Sequence, residues 1–597
     1  MTTTMINLPP AFIYIIGALL IPLVRVRRLQ QAIALLIPIL AMITLWQMPQ
    51  GVYWQMRFLD YDLILGRVDK LSLLFAYIFV IISFIGMLYA IHIKEMGQHV
   101  AAYLYVGSTL GVVFAGDLFS LFFFWEIMAA ASVFLIWYNK TEASLKAGFR
   151  YALVHLFGGA ILLGGIVMQV SNTGSILFNP FDLSTLAAKF ILFGFLINAA
   201  VPPLHAWLPD AYPEGTITGS VFMTAFTTKS AVYVLARSFA GTEILIWLGA
   251  IMALYGVIYA VIEKDIRRLL SYHIVSQVGY MVCAVGIGTE MALNGAGAHA
   301  FCHILYKAVL FMGMGAVIQM TGRRNILDLK GRHLYKKMPL TLGLYMVGAF
   351  SISAVPLFNG FVSKTMIVAA AGSSHLPIIE IMLHLASVGT FLSVGLKLPW
   401  GVWFGKPDGS EDEIAEAKEP PLNMQLGMGI GALLCIITGI FPETLYKLLP
   451  YKVEFHPYTP NHIVASLQLL VLTLAGFWIY RDKLMAGEKS ISLDTDWFYR
   501  VFGRAVLNFC LYPLNRFRDL VQSAFVSRTR TIASLSKHPY ALLELFWYTL
   551  SGERKTMAEL LQRPYDEKDY RLPVGIGVCA SLIFLFIYAL VYMRVAS

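Results

Sequence analysis

Apolar runs, each near the ~20 residues that a helix needs to cross a bilayer, follow one another along this chain with short polar loops between them. About sixteen can be read, at 8–24, 29–47, 71–92, 99–115, 117–138, 147–169, 187–207, 216–238, 244–262, 267–289, 294–320, 338–370, 378–400, 424–446, 461–480 and 573–593. The pattern predicts an all-α integral membrane protein. Loops after odd-numbered runs carry RVRR (25–28), Lys94, Lys140 with Lys146 and Arg150, Lys264 with Arg267 and Arg268, and RRNILDLKGRHLYKK (323–337). Loops after even-numbered runs carry little net positive charge. The positive-inside rule then puts both termini outside. The acidic loop GSEDEIAEAKEPP (409–421) departs from the alternation and reads as a solvated loop, since carboxylates weigh little in that rule.

The stretch from Arg481 to Arg571 follows a different pattern. In DWFYRVFGRAVLNFCLYPLNRFRDLVQSAFVSR, aromatic and aliphatic residues share one helical side, with Arg500, Arg504, Arg516, Arg518 and Arg528 interspersed. This predicts an amphipathic helix, interrupted near Pro513, on a membrane surface or a partner's flank, followed by a final anchoring span. At the other end, MTTTMINLPPAFIYIIG lacks a basic leader and a small-residue cleavage site and reads as a retained first span. An internal echo is also present. One offset relates Pro203-Leu204 to Pro356-Leu357 and Lys146 and Arg150 to His299 and His303. Paired interrupted helices of this kind point to a repeated transporter core.

Composition agrees with the pattern. Hydrophobic residues make up 58% of the 597 and charged residues only 13%, against about 25% charged in a soluble domain. The net charge of +10 reflects cytoplasmic loops and not nucleic-acid binding. Cys283, Cys302, Cys435, Cys510 and Cys579 are far apart and form no CxxC pair, so no iron–sulfur or zinc site is expected.

The ionisable groups inside the apolar runs carry the functional signal, because each costs roughly 2.5–3.5 kcal/mol at mid-bilayer on insertion scales. HAFCHILYK (299–307) sets His299, His303 and Lys307 at four-residue intervals, one polar stripe over about two helical turns. Helix–helix hydrogen bonding is the plain structural account. A zinc site lacks a third ligand and is opposed by Lys307. A proton relay fits best, since imidazoles and a desolvated lysine titrate near neutrality. Glu126 lies deep in DLFSLFFFWEIMAAASVFLIWY (117–138) and needs a proton or a partner, for which Lys229 in FMTAFTTKSAVYVLAR (222–237) is the candidate. Lys364 follows a Pro/Gly break in VPLFNGFVSK (355–364), which frees carbonyls to line a wet cavity; snorkelling is the alternative. His155 and His273 are accessory candidates; a single imidazole in an apolar helix is more often a packing residue than a relay member, and His273 gains from the neighbouring polar Ser276 and Gln277.

LFFFWE (121–126), PLHAWLPDAYPE (203–214), TTKSAVYVLAR (227–237), LLSYHIVSQVGYM (269–281), HAFCHILYKAVLF (299–311) and PLFNGFVSK (356–364) resemble, in order and spacing, the antiporter-like subunits of respiratory complex I, membrane-bound hydrogenases and Mrp-type cation/proton antiporters. SYHIVSQVGYM and TTK look most like the D-type Mrp subunit, and the long tail looks like the distal complex I subunit. The resemblance implies a fourteen-helix core of two inverted five-helix repeats with broken helices. It divides the chain into N-terminal helices (1–98), a first repeat (99–240), a second repeat (241–400), C-terminal core helices (401–480), a lateral amphipathic segment (481–572) and a terminal anchor (573–597). Carried over by position, it implies proton translocation through Glu126, Lys229, His299, His303, Lys307 and Lys364, with Lys146, His155, Asn198 and His273 as accessories. One position departs: Asn198 stands where the family usually has a lysine, and Lys189 is too far along the helix to substitute.

The function this implies is a proton-translocating subunit, with Na⁺ exchange left open, of a multisubunit complex related to NADH:quinone oxidoreductase in the plasma membrane. Its partners would be other membrane subunits and the lipid bilayer. The alternatives are a subunit of a gradient-driven Mrp-type Na⁺/H⁺ antiporter and a coupling subunit that does not conduct. No dinucleotide or P-loop fingerprint and no cluster ligands occur, so no cofactor and no redox chemistry are expected in this chain itself.

Overall fold

The computed structural model describes residues 8–405, 417–485, 493–571 and 573–595. Most of the acidic loop 409–421 and part of the segment 481–571 therefore fall outside the described residues. The chain divides into two units, Met1–Asp496 and Trp497–Ser597.

The first unit runs α1 (Pro10–Leu20), α2 (Arg27–Trp46), a hairpin of β1 (Gly51–Phe58) and β2 (Tyr61–Val68), α3 (Lys70–Ala90), α4 (Met96–Phe114), α5 (Leu118–Trp137), α6 (Glu142–Thr173) and α7 (Leu186–Asn198). It continues with α8 (Ile217–Ala225), α9 (Thr227–Ser238), α10 (Glu243–Ile262), α11 (Ile266–Ile287), α12 (Glu290–Thr321), α13 (Pro339–Ile352), α14 (Asn359–Ser373), α15 (Pro377–Thr390), α16 (Leu422–Ile440) and α17 (Pro460–Met485). The second unit holds an amphipathic helix, α18 (Asp496–Phe509), which begins at the junction, then α19 (Asn515–Lys537), α20 (Ala541–Leu550) and an apolar α21 (Val574–Val595).

Among the described residues, 11 helices are long and apolar enough to cross a membrane. Several of the sixteen expected spans take other forms. The run 8–24 is the short α1 with a further turn, 187–207 is a 13-residue helix and a non-helical stretch, and 216–238 and 338–370 are each broken in two. The antiparallel hairpin was not expected; it pairs Gly51 with Val68 and Phe58 with Tyr61.

At the centre stands α12, almost wholly enclosed, its polar stripe of His299, His303 and Lys307 buried with the rest. Thr289 caps it through the Ala292 amide, and Gly322 ends it at φ 68°, a left-handed cap that suits glycine.

The internal repeat is explicit in the hydrogen bonds. Asp117 caps α5 and bridges to Leu177, while Asp265 caps α11 and bridges to Asn325. The Leu118 amide donates to Ile176 O, and the Ile266 amide donates to Arg324 O. At that same offset α6 matches α12: both have 32 residues, a threonine cap, and a left-handed glycine end at Gly174 or Gly322. The breaks after α7 and α13 are also alike. Ala200 and Ala354 both take φ 57°. Their amides bond Ile197 O and Ser351 O, and those of Val201 and Val355 bond Leu196 O and Phe350 O. This register corrects the sequence echo. His155, not Arg150, is the counterpart of His303; Gly159 is the counterpart of Lys307; and Pro356 sits opposite Pro202.

Candidate functional site: a buried row of lysines and histidines

Three broken or central helices bring the row together. Lys229 occupies the first turn of α9, just past the break at Phe226. Its Nζ donates to Thr224 O at 2.6 Å and Thr228 Oγ1 at 3.0 Å. Lys364, on α14, donates to Ile352 O at 2.6 Å, across the break that ends α13. In both cases the ammonium satisfies a carbonyl that the interrupted helix left without an amide. Between them, α12 carries His299, His303 and Lys307, all fully buried.

His299 Nδ1 lies 2.9 Å from Ser363 Oγ on α14, and its Nε2 lies 3.4 Å from Tyr306 Oη. The His303 ring is 5.3 Å from the Tyr306 ring and 6.2 Å from that of His299. Both His303 nitrogens and Lys307 Nζ have no protein hydrogen-bond partner. Buried polar atoms without partners mark places where water or a transferable proton fits. Lys307 interacts electrostatically with both Lys229 and Lys364, and His303 with all three lysines. The row is thus within Coulombic reach from end to end. His273 adjoins it: its Nε2 is 2.7 Å from Ser393 Oγ, and it interacts with Lys307, Lys364 and Lys397.

Glu126 is placed differently from expectation. Its half-buried carboxylate makes no ion pair with Lys229 or with any other cation among the described residues, and Oε1 has no partner. It packs against Gly159, where a Cβ would come within 2.0 Å of Oε1. Glu126 and His155 line one apolar cavity of about 350 Å³ with Val133, Trp137 and Ala152. His155 Nδ1 bonds Asn198 Oδ1 at 2.9 Å, while its Nε2 and Asn198 Nδ2 are unpartnered. Lys146 lies outside this interior: it is 66% exposed and pairs with Glu142 one turn away.

Two residues escaped the sequence reading. Lys397, buried in the wide turns Phe391–Lys397 that continue α15, donates to Val261 O and Glu263 O, both at 2.6 Å. A charge inside the apolar run 378–400 was the available signal. Asp494 is buried at the end of the first unit. It accepts from Tyr272 Oη at 2.6 Å and Tyr255 Oη at 2.5 Å and lies 3.2 Å from His205 Nε2. No local pattern in the sequence marks that contact.

A helical membrane protein whose titratable groups meet at broken helices is a candidate ion-conducting subunit. Residues 115–393 match the family described as NADH:quinone oxidoreductase/Mrp antiporter, transmembrane. The chain is 31% identical over 407 residues to the A/B component of a probable K⁺/H⁺ antiporter of Rhizobium meliloti (strain 1021), matching 63% of this chain and 40% of that one. It is 30% identical over 429 residues to the A component of an Na⁺/H⁺ antiporter of Alkalihalophilus pseudofirmus (strain ATCC BAA-2126 / JCM 17055 / OF4), matching 63% and 52%. The chain therefore spans about half the length of these curated relatives or less. Its fold is similar to a chain of the membrane-bound sulfane sulfur reductase, an archaeal respiratory membrane complex, with a TM-score of 0.68, 23% identity, and coverage of 91% of this chain and 99% of that one.

Proposed function

We propose that this chain is a proton-translocating, antiporter-like subunit of a multisubunit membrane complex. The carrying observation is the buried group of Lys229, His299, His303, Lys307 and Lys364, in which His303 and Lys307 lack hydrogen-bond partners and Lys307 interacts with both other lysines. Such a row passes a proton stepwise: the charge on one lysine disfavours charge on its neighbour, and ~1.4 kcal/mol moves a pKa by one unit. Lys307 interacts with Lys229 and with Lys364, and His273 with Lys307, Lys364 and Lys397.

Exchange of protons for Na⁺ or K⁺ is supported by the activities that the relatives' names carry. A redox-driven assembly is supported by the likeness to a respiratory complex. Either way, the driving energy enters through partner subunits. The plasma membrane, with both termini outside, is the location the loop charges favour. Purifying the assembly, identifying its other chains, and measuring proton flux in proteoliposomes tests the proposal: Lys307→Ala is expected to abolish flux, and unchanged flux refutes conduction through this chain. One observation favours a second reading, a non-conducting coupling role. Among the described residues Glu126 pairs with no cation, and the neutral Asn198 occupies the place where the resembling family has a lysine.

A further inference from the structure

The ends of α3, α9 and α12 nearest the hairpin enclose a cavity of about 470 Å³ that no role above uses. Arg67, Asp69, Lys70 and Arg237 line it, together with Phe75, Val232, Ala236 and Ala296. Helical periodicity shows where it leads. On α9, Val232 and Ala236 share the face of Lys229, three and seven residues further on. On α12, Ala296 stands seven residues before His303 on the same face, about 10 Å at ~1.5 Å per residue. Both walls therefore descend to the buried row, and His303 at its middle has two unpartnered nitrogens.

An ion pair forms part of the cavity lining. Arg237 Nη2 binds both Asp69 oxygens, at 2.8 and 2.7 Å, and Arg237 Nε bonds Tyr233 Oη at 2.8 Å. Asp69 caps α3 through the Ser72 amide at 2.9 Å. The pair thus ties the last turn of α9 to the first turn of α3. Because α9 is a 12-residue half-helix, separated from α8 at Phe226, this tie fixes the end opposite Lys229. Burial alone would raise the Asp69 carboxyl, but the Arg237 charge and the Ser72 amide hold it below the usual range, so the pair stays charged. Three cations against one carboxylate leave the lining positive, which repels metal ions.

We infer that this cavity is an aqueous access to the buried row, opening on the face that bears the hairpin, closed by the Asp69–Arg237 pair, and passing protons while excluding Na⁺ and K⁺. The inference rests on the proton-conducting reading for its purpose, but its test does not require flux. In the assembled complex, with the five cysteines replaced, Ala236→Cys reports the lining near the ion pair and Ala296→Cys the lining beyond it. Membrane-impermeant thiosulfonates, one anionic and one cationic, are applied to each side. Ala236→Cys is expected to react from one side only, faster with the anionic reagent. Ala296→Cys is expected to stay protected until Asp69→Asn or Arg237→Gln is added. It then reacts from that same side about tenfold faster, the effect of losing about 1.4 kcal/mol of closure. Asparagine keeps the α3 cap, so Asp69→Asn is the variant that preserves the fold. Protection of Ala296→Cys in both variants, reaction from the opposite side, or preference for the cationic reagent overturns the inference. Persistent flux in Lys307→Ala would overturn the conduction reading and leave this access standing.

Discussion

Asn198 Oδ1 sits 2.9 Å from His155 Nδ1, and the imidazole is clasped by Tyr151 and Trp207, with ring centroids 4.2 and 4.6 Å away. The amide therefore fixes the ring's orientation, and a donated Nδ1–H leaves Nε2 a free acceptor in the cavity that Glu126 shares. The titratable group at this place in the first repeat is the histidine, the counterpart of His303.

If the first repeat conducts, His155→Phe lowers proton flux in proteoliposomes about tenfold or more. Asn198→Ala lowers it less and costs about 1 kcal/mol of stability, the usual effect of a lost hydrogen bond. Full flux in His155→Phe would assign conduction to the second repeat alone.

Gly159→Ala is expected to reproduce the flux of Glu126→Gln without unfolding the protein. The new Cβ meets Glu126 Oε1 at 2.0 Å, the far end of a flexible side chain, and displaces it into the cavity. Flux assays paired with thermal melts separate this from a packing defect.

Lys307→Met and Lys364→Met should move stability in opposite directions while both reduce flux. Lys307 Nζ has no hydrogen bond to lose, so an apolar replacement raises Tm. Lys364→Met strands Ile352 O and costs about 1–3 kcal/mol. Melting curves of the assembled complex check the signs.

Asp494 ties the end of the first unit to His205, Tyr255 and Tyr272. Burial alone would raise its carboxyl, but the hydrogen bond and charge of His205, with the two tyrosine hydroxyls, hold it well below the usual carboxylate range. A depressed folded value stabilises the tie above the unfolded pKa of about 3.9, and that stability is lost as pH falls below it. Protection of the Thr495 and Asp496 amides, taken relative to their intrinsic exchange rates at each pH, should be constant from pH 8 to about 5. It should then fall in acid, and Asp494→Asn should show the reduced protection at neutral pH.

The buried lysines and histidines were legible as candidates because each one violates a local rule: a charge in an apolar run has to have a reason, whatever surrounds it. Lys397 violates the same rule within a run already recognised. The pairing of Glu126 with Lys229 was a different kind of expectation. It required knowing which side chain faces which across two helices, and the Thr224 carbonyl at the break proved to be the partner Lys229 uses.

By itself the sequence determined the membrane-embedded helical class, the polar stripe on α12, and the family motifs, because hydropathy, helical period and residue order are local properties of the chain. Tertiary structure alone decided the repeat register that sets His155 against His303, the isolation of Glu126, the Asp69–Arg237 tie and the burial of Asp494. These depend on contacts between residues distant in sequence, whose geometry is fixed only when the helices pack and each stranded carbonyl, amide or charge takes whichever partner the neighbouring helix presents.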